Sequence, residues 1–407
     1  MQKLKDYCKV CNVFDDDFIG LRFVGGKPEI TFPRGYKISE EDVDVRRDII
    51  HLVTILHKFT NCQEGTGSRN TKEDEMLSFP ILAYQYVIYN FLANGYYFEK
   101  DVEYQVRDRG KISWKRTLQQ LKPMTDDENV VYLDFMTKRS ITQSDIITKI
   151  HEYCVYEAFS KLGWLYLNST YIPRKPSLKF SKKKFLSVLN DALKNTFNNN
   201  KKMLFINMIE IITQADENND FPDISYGVTK FEQIWERLVD HVFGEDNKYD
   251  YFPHGHYTII QNGKVTESSA LKPDTIMKVG DRIFILDAKY YKYGVIPNPG
   301  FLPPTSSIHK QITYGDYVFT NRFADKNKIY NAFILPYESQ DEDVLKFVSV
   351  GTGDWIHYNN QTPNYKYVLT ILLDTKYIMD TYSKHNMKDI DMMSEFIEKS
   401  LMEYRIQ

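Results

Sequence analysis

Lys272-Pro-Asp-Thr-Ile-Met-Lys-Val-Gly-Asp-Arg-Ile-Phe-Ile-Leu-Asp-Ala-Lys-Tyr-Tyr291 is the stretch whose reading decides the fold. Val279-Gly280-Asp281-Arg282 has the form of a type II′ hairpin turn, with Gly at the first central position. With Gly280 and Asp281 as the two loop residues, Asp274 stands directly opposite Asp287 across the hairpin. Opposed residues have Cβ atoms about 4.5–5.5 Å apart, so two bare carboxylates there repel unless a cation or a proton intervenes. Lys289 lies two residues beyond Asp287 and shares its face, because strand side chains alternate. Ile283, Ile285, Leu286 and Ala288 between them suit a buried strand. Two hard oxygen donors beside an ammonium form a site for a divalent metal and an anionic reacting group. The plainer reading is a surface hairpin with one salt bridge, and a slip of one residue would put Asp274 on the other face.

The surroundings extend the pattern. Phe231-Glu-Gln-Ile-Trp-Glu-Arg-Leu-Val-Asp-His-Val-Phe243 has its apolar residues at helical spacing, with Glu232 and Glu236 on one face. Ser307-Ile-His-Lys-Gln-Ile-Thr-Tyr314 predicts a second helix after the hairpin, carrying Gln311 and Tyr314. Pro273-Asp274 followed by Asp287-Ala288-Lys289 resembles the P-D…(D/E)-x-K signature of the restriction-endonuclease-like nucleases. In that family a helix bearing a glutamate precedes the strand pair, and a helix bearing glutamine follows it. Arg109-Gly-Lys-Ile-Ser-Trp114 with Arg116-Thr117, and Phe23-Val-Gly25 with Ile30-Thr-Phe-Pro-Arg-Gly-Tyr36, are similar to segments of the LlaJI-type restriction endonucleases and the related McrC nuclease subunits.

The resemblance implies an α+β / α/β protein whose nuclease core has a central mixed sheet. It implies a Mg²⁺-dependent, type II-like DNA endonuclease of a bacterial restriction system acting in antiviral defence, with Mn²⁺ as a substitute ion. Asp274, Asp287 and Glu236 would hold the metal, Glu236 directly or through water. Lys289 would orient or deprotonate the water and stabilise developing charge, and Gln311 would position the water or a phosphate oxygen. The implied partners are double-stranded DNA, a cognate DNA methyltransferase, a second copy of the chain and a separate GTP-hydrolysing motor. The chain has no P-loop, so such a motor would have to be another protein. A catalytically silent DNA-binding protein on the same fold is the remaining alternative; it would be expected to lack a carboxylate or the lysine.

Length and composition fit this picture. A chain of 407 residues suggests two or three domains, and 42% hydrophobic content supplies their cores. The net charge of −3 announces no nucleic-acid binder, but its distribution is uneven. Residues 174–202 carry nine Lys or Arg against one acid, Asp191. Within that run Lys182, Lys183 and Lys184 are the expected DNA contacts, against the plainer reading of a solvated face. Cys8-x-x-Cys11 has zinc-ligand spacing but lacks a second tight pair, so ordinary reduced thiols are expected. No apolar run reaches the ~20 residues that span a bilayer and no signal peptide stands at the N-terminus, so a cytoplasmic protein without membrane contact is the default expectation.

The expected division is an N-terminal recognition or partner-contact region over 1–222 and a nuclease domain over 223–407. The first is read as β-rich to about 137 and helical from about 140, beginning with a helix over Ser140–Phe159. A loop is expected over 61–75, and a charged break at 216–222.

Overall fold

The N-terminal residues form part of a sheet. Strand β1 (Cys8–Val10) is followed by the antiparallel pair β2 (Ile19–Val24) and β3 (Lys27–Phe32). Strand β1 runs parallel to β3 on its far side. Helix α1 (Asp42–Asn61) follows, burying Val45, Ile49, Leu52, Val53 and Leu56 along one stripe. It starts three residues after Ser39, whose own N–H donates to Asp48 Oδ2 at 3.0 Å. The computed structural model describes every residue except 1–2, 12–17, 25–26, 62–78, 108, 127–128, 144–145, 168–170, 177, 216–223, 262, 323–324, 340–346, 355–361, 383–385 and 407. The expected loop at 61–75 and the charged break at 216–222 thus fall almost wholly outside the described residues.

Residues 79–222 form a separate compact unit. It contains α2 (Ile81–Asn94), β4 (Glu99–Arg107), β5 (Lys111–Ile112), α3 (Trp114–Gln120), β6 (Met124–Asp126), β7 (Asn129–Val131), β8 (Phe135–Gln143), α4 (Ile146–Tyr166), α5 (Lys182–Asn195) and α6 (Asn199–Gln214). The helix expected from Ser140 begins only at Ile146. Residues 140–143 instead continue β8 in register with β4, from Val102 opposite Ser140 to Glu99 opposite Gln143. Within α4, Glu157 and Lys161 form a buried ion pair one turn apart. His151 is buried too, accepting from the Tyr97 N–H through Nδ1 at 2.9 Å; burial lowers its pKa to about 4, so it stays neutral.

The chain then rejoins the first unit. Strand β9 (Ile224–Val228) pairs antiparallel with β2, completing the sheet order β1-β3-β2-β9. Gly20 lies opposite Gly227, and a Cβ on Gly227 would meet the Ile19 carbonyl at 2.3 Å. Helix α7 (Phe231–Phe243) has the predicted bounds and buries Phe231, Ile234, Trp235, Leu238 and Val242. A small hairpin follows, β10 (His256–Ile259) with β11 (Lys264–Glu267).

The central sheet is built from β12 (Thr275–Val279), β13 (Arg282–Ala288), β14 (Ile329–Tyr337), β15 (Phe347–Gly353) and β16 (Val368–Asp374). Its order is β12-β13-β14-β16-β15, with β13, β14 and β16 mutually parallel and the two edge strands antiparallel to their neighbours. Parallel strands covered on both faces read as continuous apolar runs, and eight of the nine residues of β14 and all seven of β16 are buried. Helix α8 (Thr305–Arg322) covers one face, where Tyr314 and Val318 pack on Ile276, Ile283, Ile285 and Ile329. Helices α9 (Thr375–Thr381) and α10 (Met387–Ile406) complete the unit. Among the described residues no helix is long and apolar enough to cross a membrane.

The chain divides as 1–78 with 223–407 in one unit and 79–222 in the other. The expected boundary at 222 is one of two crossings. The other lies near residue 78, because β2 recruits β9 and so draws the first 61 residues into the unit that holds the central sheet. This arrangement sets an expectation for dissected chains. Residues 223–407 alone would leave β9 without its partner strand, and they should fail to give a cooperative thermal transition. A chain in which a Gly/Ser linker replaces residues 79–222 should melt cooperatively. Calorimetry of the two shortened chains checks this, and cooperative unfolding of 223–407 alone would contradict the division.

Candidate active site

The hairpin register sets the site. Val279 pairs with Arg282 and Thr275 with Leu286, so the ladder extended by one residue sets Asp274 opposite Asp287. Gly280 takes φ +62°, as the first central position of the predicted turn requires. Asp287 is only 3% exposed. Lys289 Nζ lies 2.6 Å from Asp287 Oδ2, on the face that the alternation predicted. Asp274 is fixed at both ends: its Oδ2 accepts the Ala288 N–H at 3.0 Å, and its carbonyl accepts Lys248 Nζ at 2.9 Å. Lys248 also holds Asp240 Oδ2 at 2.6 Å, linking the end of α7 to the start of the hairpin.

The electrostatics follow from burial and crowding. Burial pushes the Asp274 carboxyl up to about 8, and the charges of Asp287 and Glu236 add to it against the pull of Lys289. Glu236, half-buried on α7, is raised by burial; Lys289 opposes this, and Asp287 and Glu232 reinforce it. Burial alone would lower Lys289, but the Asp287 charge and hydrogen bond outweigh it and raise the net value. The site therefore holds an Asp287–Lys289 ion pair beside a carboxyl that keeps its proton near neutral pH.

The other expected residues fall as follows. Gln311 is 1% exposed in the interface between α8 and the sheet. Its Nε2 donates to the carbonyls of Ile285 at 3.1 Å and Ala332 at 3.4 Å. Only its buried, unpartnered Oε1 is left for the expected part in positioning water. Tyr314 is fully buried and donates its hydroxyl to the Lys272 carbonyl at 3.0 Å, bracing the strand that leads to Asp274. Among the described residues no three His, Cys, Asp or Glu side chains group closely enough to hold a metal ion. Asp274 and Asp287 are thus a pair, with Glu236 near enough to feel their charge. The Cys8 thiol donates to the Leu4 carbonyl at 3.6 Å, and burial, with Asp48 adding, pushes its pKa up to about 12.

In the second unit, Lys182, Lys183 and Lys184 form the first turn of α5. Lys183 and Lys184 are exposed, while Lys182 is half-buried with its Nζ on the Thr213 carbonyl at 2.5 Å. Sequence reading missed Lys248, which no motif marks. It also missed Arg34 and Tyr290, which lie in or beside quoted segments.

A profile of the LlaJI restriction endonuclease family matches residues 18–357, and the chain belongs to that family. It is 29% identical over 282 residues to a Bacillus subtilis (strain 168) protein named type II restriction enzyme BsuMI component YdjA. That match covers 63% of this chain and 58% of the relative, so the chain spans less than two thirds of the relative's length. A solved structure, the refined half-complex from a tetradecameric assembly of Thermococcus gammatolerans McrB AAA+ hexamers with bound McrC, is similar at a TM-score of 0.36 and 12% identity. That alignment covers 91% of this chain and 82% of the other.

Two measurements test these placements. An unfolded aspartate gives up its proton near 4, whereas Asp274 keeps its proton to about 8. Between those values the folded state binds a proton that the unfolded chain does not, so this group's contribution to stability falls as pH rises. With divalent ions chelated, Asp274→Asn should therefore raise the melting temperature at pH 8. The gain should be roughly 2–4 °C for each kcal/mol relieved, shrinking as pH approaches 4. A gain independent of pH would contradict the assignment. Replacing Lys183 and Lys184 with Ala should weaken DNA binding and reduce the slope of log K against log salt by about 0.9 for each phosphate that is no longer neutralised. An unchanged slope would make these lysines a solvated face.

Proposed function

We propose that this LlaJI-family chain is the DNA-cleaving component of a restriction system, a type II-like endonuclease that hydrolyses phosphodiester bonds in double-stranded DNA with Mg²⁺. The observation that carries the reading is the opposition of Asp274 and Asp287 at the end of a buried hairpin, with the Lys289 ammonium 2.6 Å from Asp287. These residues match the P-D…D-x-K pattern, and the resemblance assigns Glu236 on the preceding helix as the third carboxylate.

The donor set fits a hard divalent cation. Asp274 keeps its proton to about 8 because burial and the neighbouring carboxylates disfavour its charge, and a cation between the two carboxylates would take the place of that proton. Asp274 and Asp287 would hold Mg²⁺, or Mn²⁺ in its stead, with Glu236 contributing through water. When bound, the ion lowers the pKa of a water and offsets charge on the scissile phosphate. Lys289 has its own part. Its raised pKa keeps it an ammonium, so it donates to the phosphoryl oxygens and stabilises charge that grows in the transition state. Of the two roles expected for it, deprotonating the water is the less favoured. Ala288 N–H fixes the orientation of Asp274, so the acceptor oxygens are placed before substrate arrives.

A second reading is favoured by the name of the Bacillus relative, which is called a component. On that reading cleavage requires further proteins, and a GTP-hydrolysing motor would be one of them, since this chain has no phosphate-binding loop. The two readings separate on whether the chain with Mg²⁺ cuts plasmid DNA without nucleotide or partner.

Asp287→Ala should fold and bind DNA but not cleave it. Lys289→Ala should slow single-turnover cleavage by about 10²–10³, the usual worth of a group that stabilises transition-state charge. Circular dichroism and a binding isotherm establish that each variant is intact. Lys289→Ala cutting within a few-fold of the parent would sink the assignment of this hairpin.

A further inference from the structure

The chain leaves the sheet just where the site needs it most firmly held. The β13–β14 ladder ends with Ala288 opposite Ile334, and Lys289 is the next residue. Its N–H still reaches the Ile334 carbonyl at 2.9 Å, a carbonyl that also accepts Trp235 Nε1 at 3.2 Å. Beyond that point the chain is held from outside the sheet. Arg34 donates its backbone N–H to Tyr290 Oη at 2.6 Å, and its Nη1 donates to the Tyr290 carbonyl at 2.6 Å. The guanidinium carbon lies 4.6 Å from the Tyr290 ring centroid, and the Phe231 ring packs on the same side chain at 5.3 Å.

Arg34 is itself fixed in place. Its carbonyl accepts Thr375 Oγ1 at 2.9 Å. Gly35 follows at φ +71°, and a Cβ there would meet the Tyr337 backbone at 2.7 Å. The segment Phe32–Tyr36 therefore runs along the C-terminal ends of three parallel strands, touching the chain at residues 290, 337 and 375. Arg34 is 7% exposed, and among the described residues no carboxylate forms an ion pair with it. A buried guanidinium without a counter-charge is costly, and its hydrogen bonds here go to the residue next to Lys289.

We propose that Arg34 is a positioning residue: by holding Tyr290 at both its hydroxyl and its carbonyl, it sets where the Lys289 ammonium stands against Asp287. This rests on the reading that Lys289 serves the cleavage step. Arg34 need not touch DNA for this. A lysine cannot replace it, because one ammonium on a flexible stem does not reproduce the planar guanidinium lying over the ring while bonding the carbonyl.

The test compares Arg34→Met, Arg34→Lys, Tyr290→Phe, Lys289→Ala and the double variant Arg34→Met/Lys289→Ala in the full chain with Mg²⁺, with a motor partner added if the chain requires one. Both Arg34 variants should slow single-turnover cleavage roughly 10–100-fold, the cost of a small misplacement of a reacting group, with DNA affinity unchanged. Tyr290→Phe, which keeps the ring and the carbonyl, should slow it less. In the Lys289→Ala background the Arg34 change should cost nothing further. Hydrogen exchange over residues 286–294 should quicken in Arg34→Met whether or not cleavage can be measured. Arg34→Met or Tyr290→Phe variants that melt earlier but cut at the parent rate would make Arg34 merely structural and overturn the proposal. So would unchanged exchange, a matching loss of DNA affinity, or full additivity with Lys289→Ala. A parent-like rate for Lys289→Ala itself would remove the functional reading, and this inference with it.

Discussion

The candidate site is built on two carboxyl groups that the hairpin forces together. Asp274 and Asp287 cannot avoid each other once Gly280 and Asp281 make the turn, because a two-residue loop fixes the register of the whole ladder. Burying such a pair in a largely parallel sheet raises its cost, since low polarity weakens the hydration that would screen the charges. The structure offsets this with nearby hydrogen bonds and charges. Ala288 N–H and the Asp287–Lys289 pair supply them at the site, and the proton retained by Asp274 supplies the rest.

The supports around that pair come from distant parts of the chain. Lys248 joins Asp240 of α7 to the Asp274 carbonyl. Gln311 and Asn331 bind α8 to the sheet: Gln311 Nε2 reaches the Ile285 carbonyl, and Asn331 Nδ2 reaches the Gln311 carbonyl at 2.9 Å. The Phe32–Tyr36 segment closes the C-terminal ends of the parallel strands. The site accordingly depends on the first 61 residues as well as on those after 223, and the second unit is an insertion between α1 and β9. The N-terminal sheet, expected to belong with the recognition region, instead joins the unit that carries the candidate site.

What can be read from the sequence is what local rules determine. The turn chemistry of Val279–Arg282 sets the register, and through it the opposition of Asp274 and Asp287. The spacing of Phe231, Ile234, Trp235, Leu238 and Val242 marks α7 to the residue. Local rules fail wherever a distant segment decides the outcome. Ser140–Gln143 reads as helix, but β4 some forty residues earlier claims it as strand. The parallel pairing of β1 with β3 and the pairing of β9 with β2 across just over two hundred residues leave no local signature. Arg34 is legible as part of F-P-x-G-Y but not as a support, because its partner lies 256 positions away. Glu157 and Lys161 lie one turn apart on α4, and packing rather than their spacing buries them together.

The charge state of the metal-free site bears on the part proposed for Lys289. With Asp274 protonated and Asp287 paired to Lys289, the three groups together carry no net charge. The ammonium is kept by the carboxylate it faces, and its raised pKa means that it gives up its proton less readily than a free lysine. A general base works best when its pKa lies near the working pH, and this group is displaced the wrong way for that. A fixed positive charge needs no such matching; it needs only to stand where negative charge grows, on a frame that does not move as the charge appears. The end of β13 and the bonds around residues 288–290 fit that requirement, in keeping with the electrostatic part proposed for this lysine.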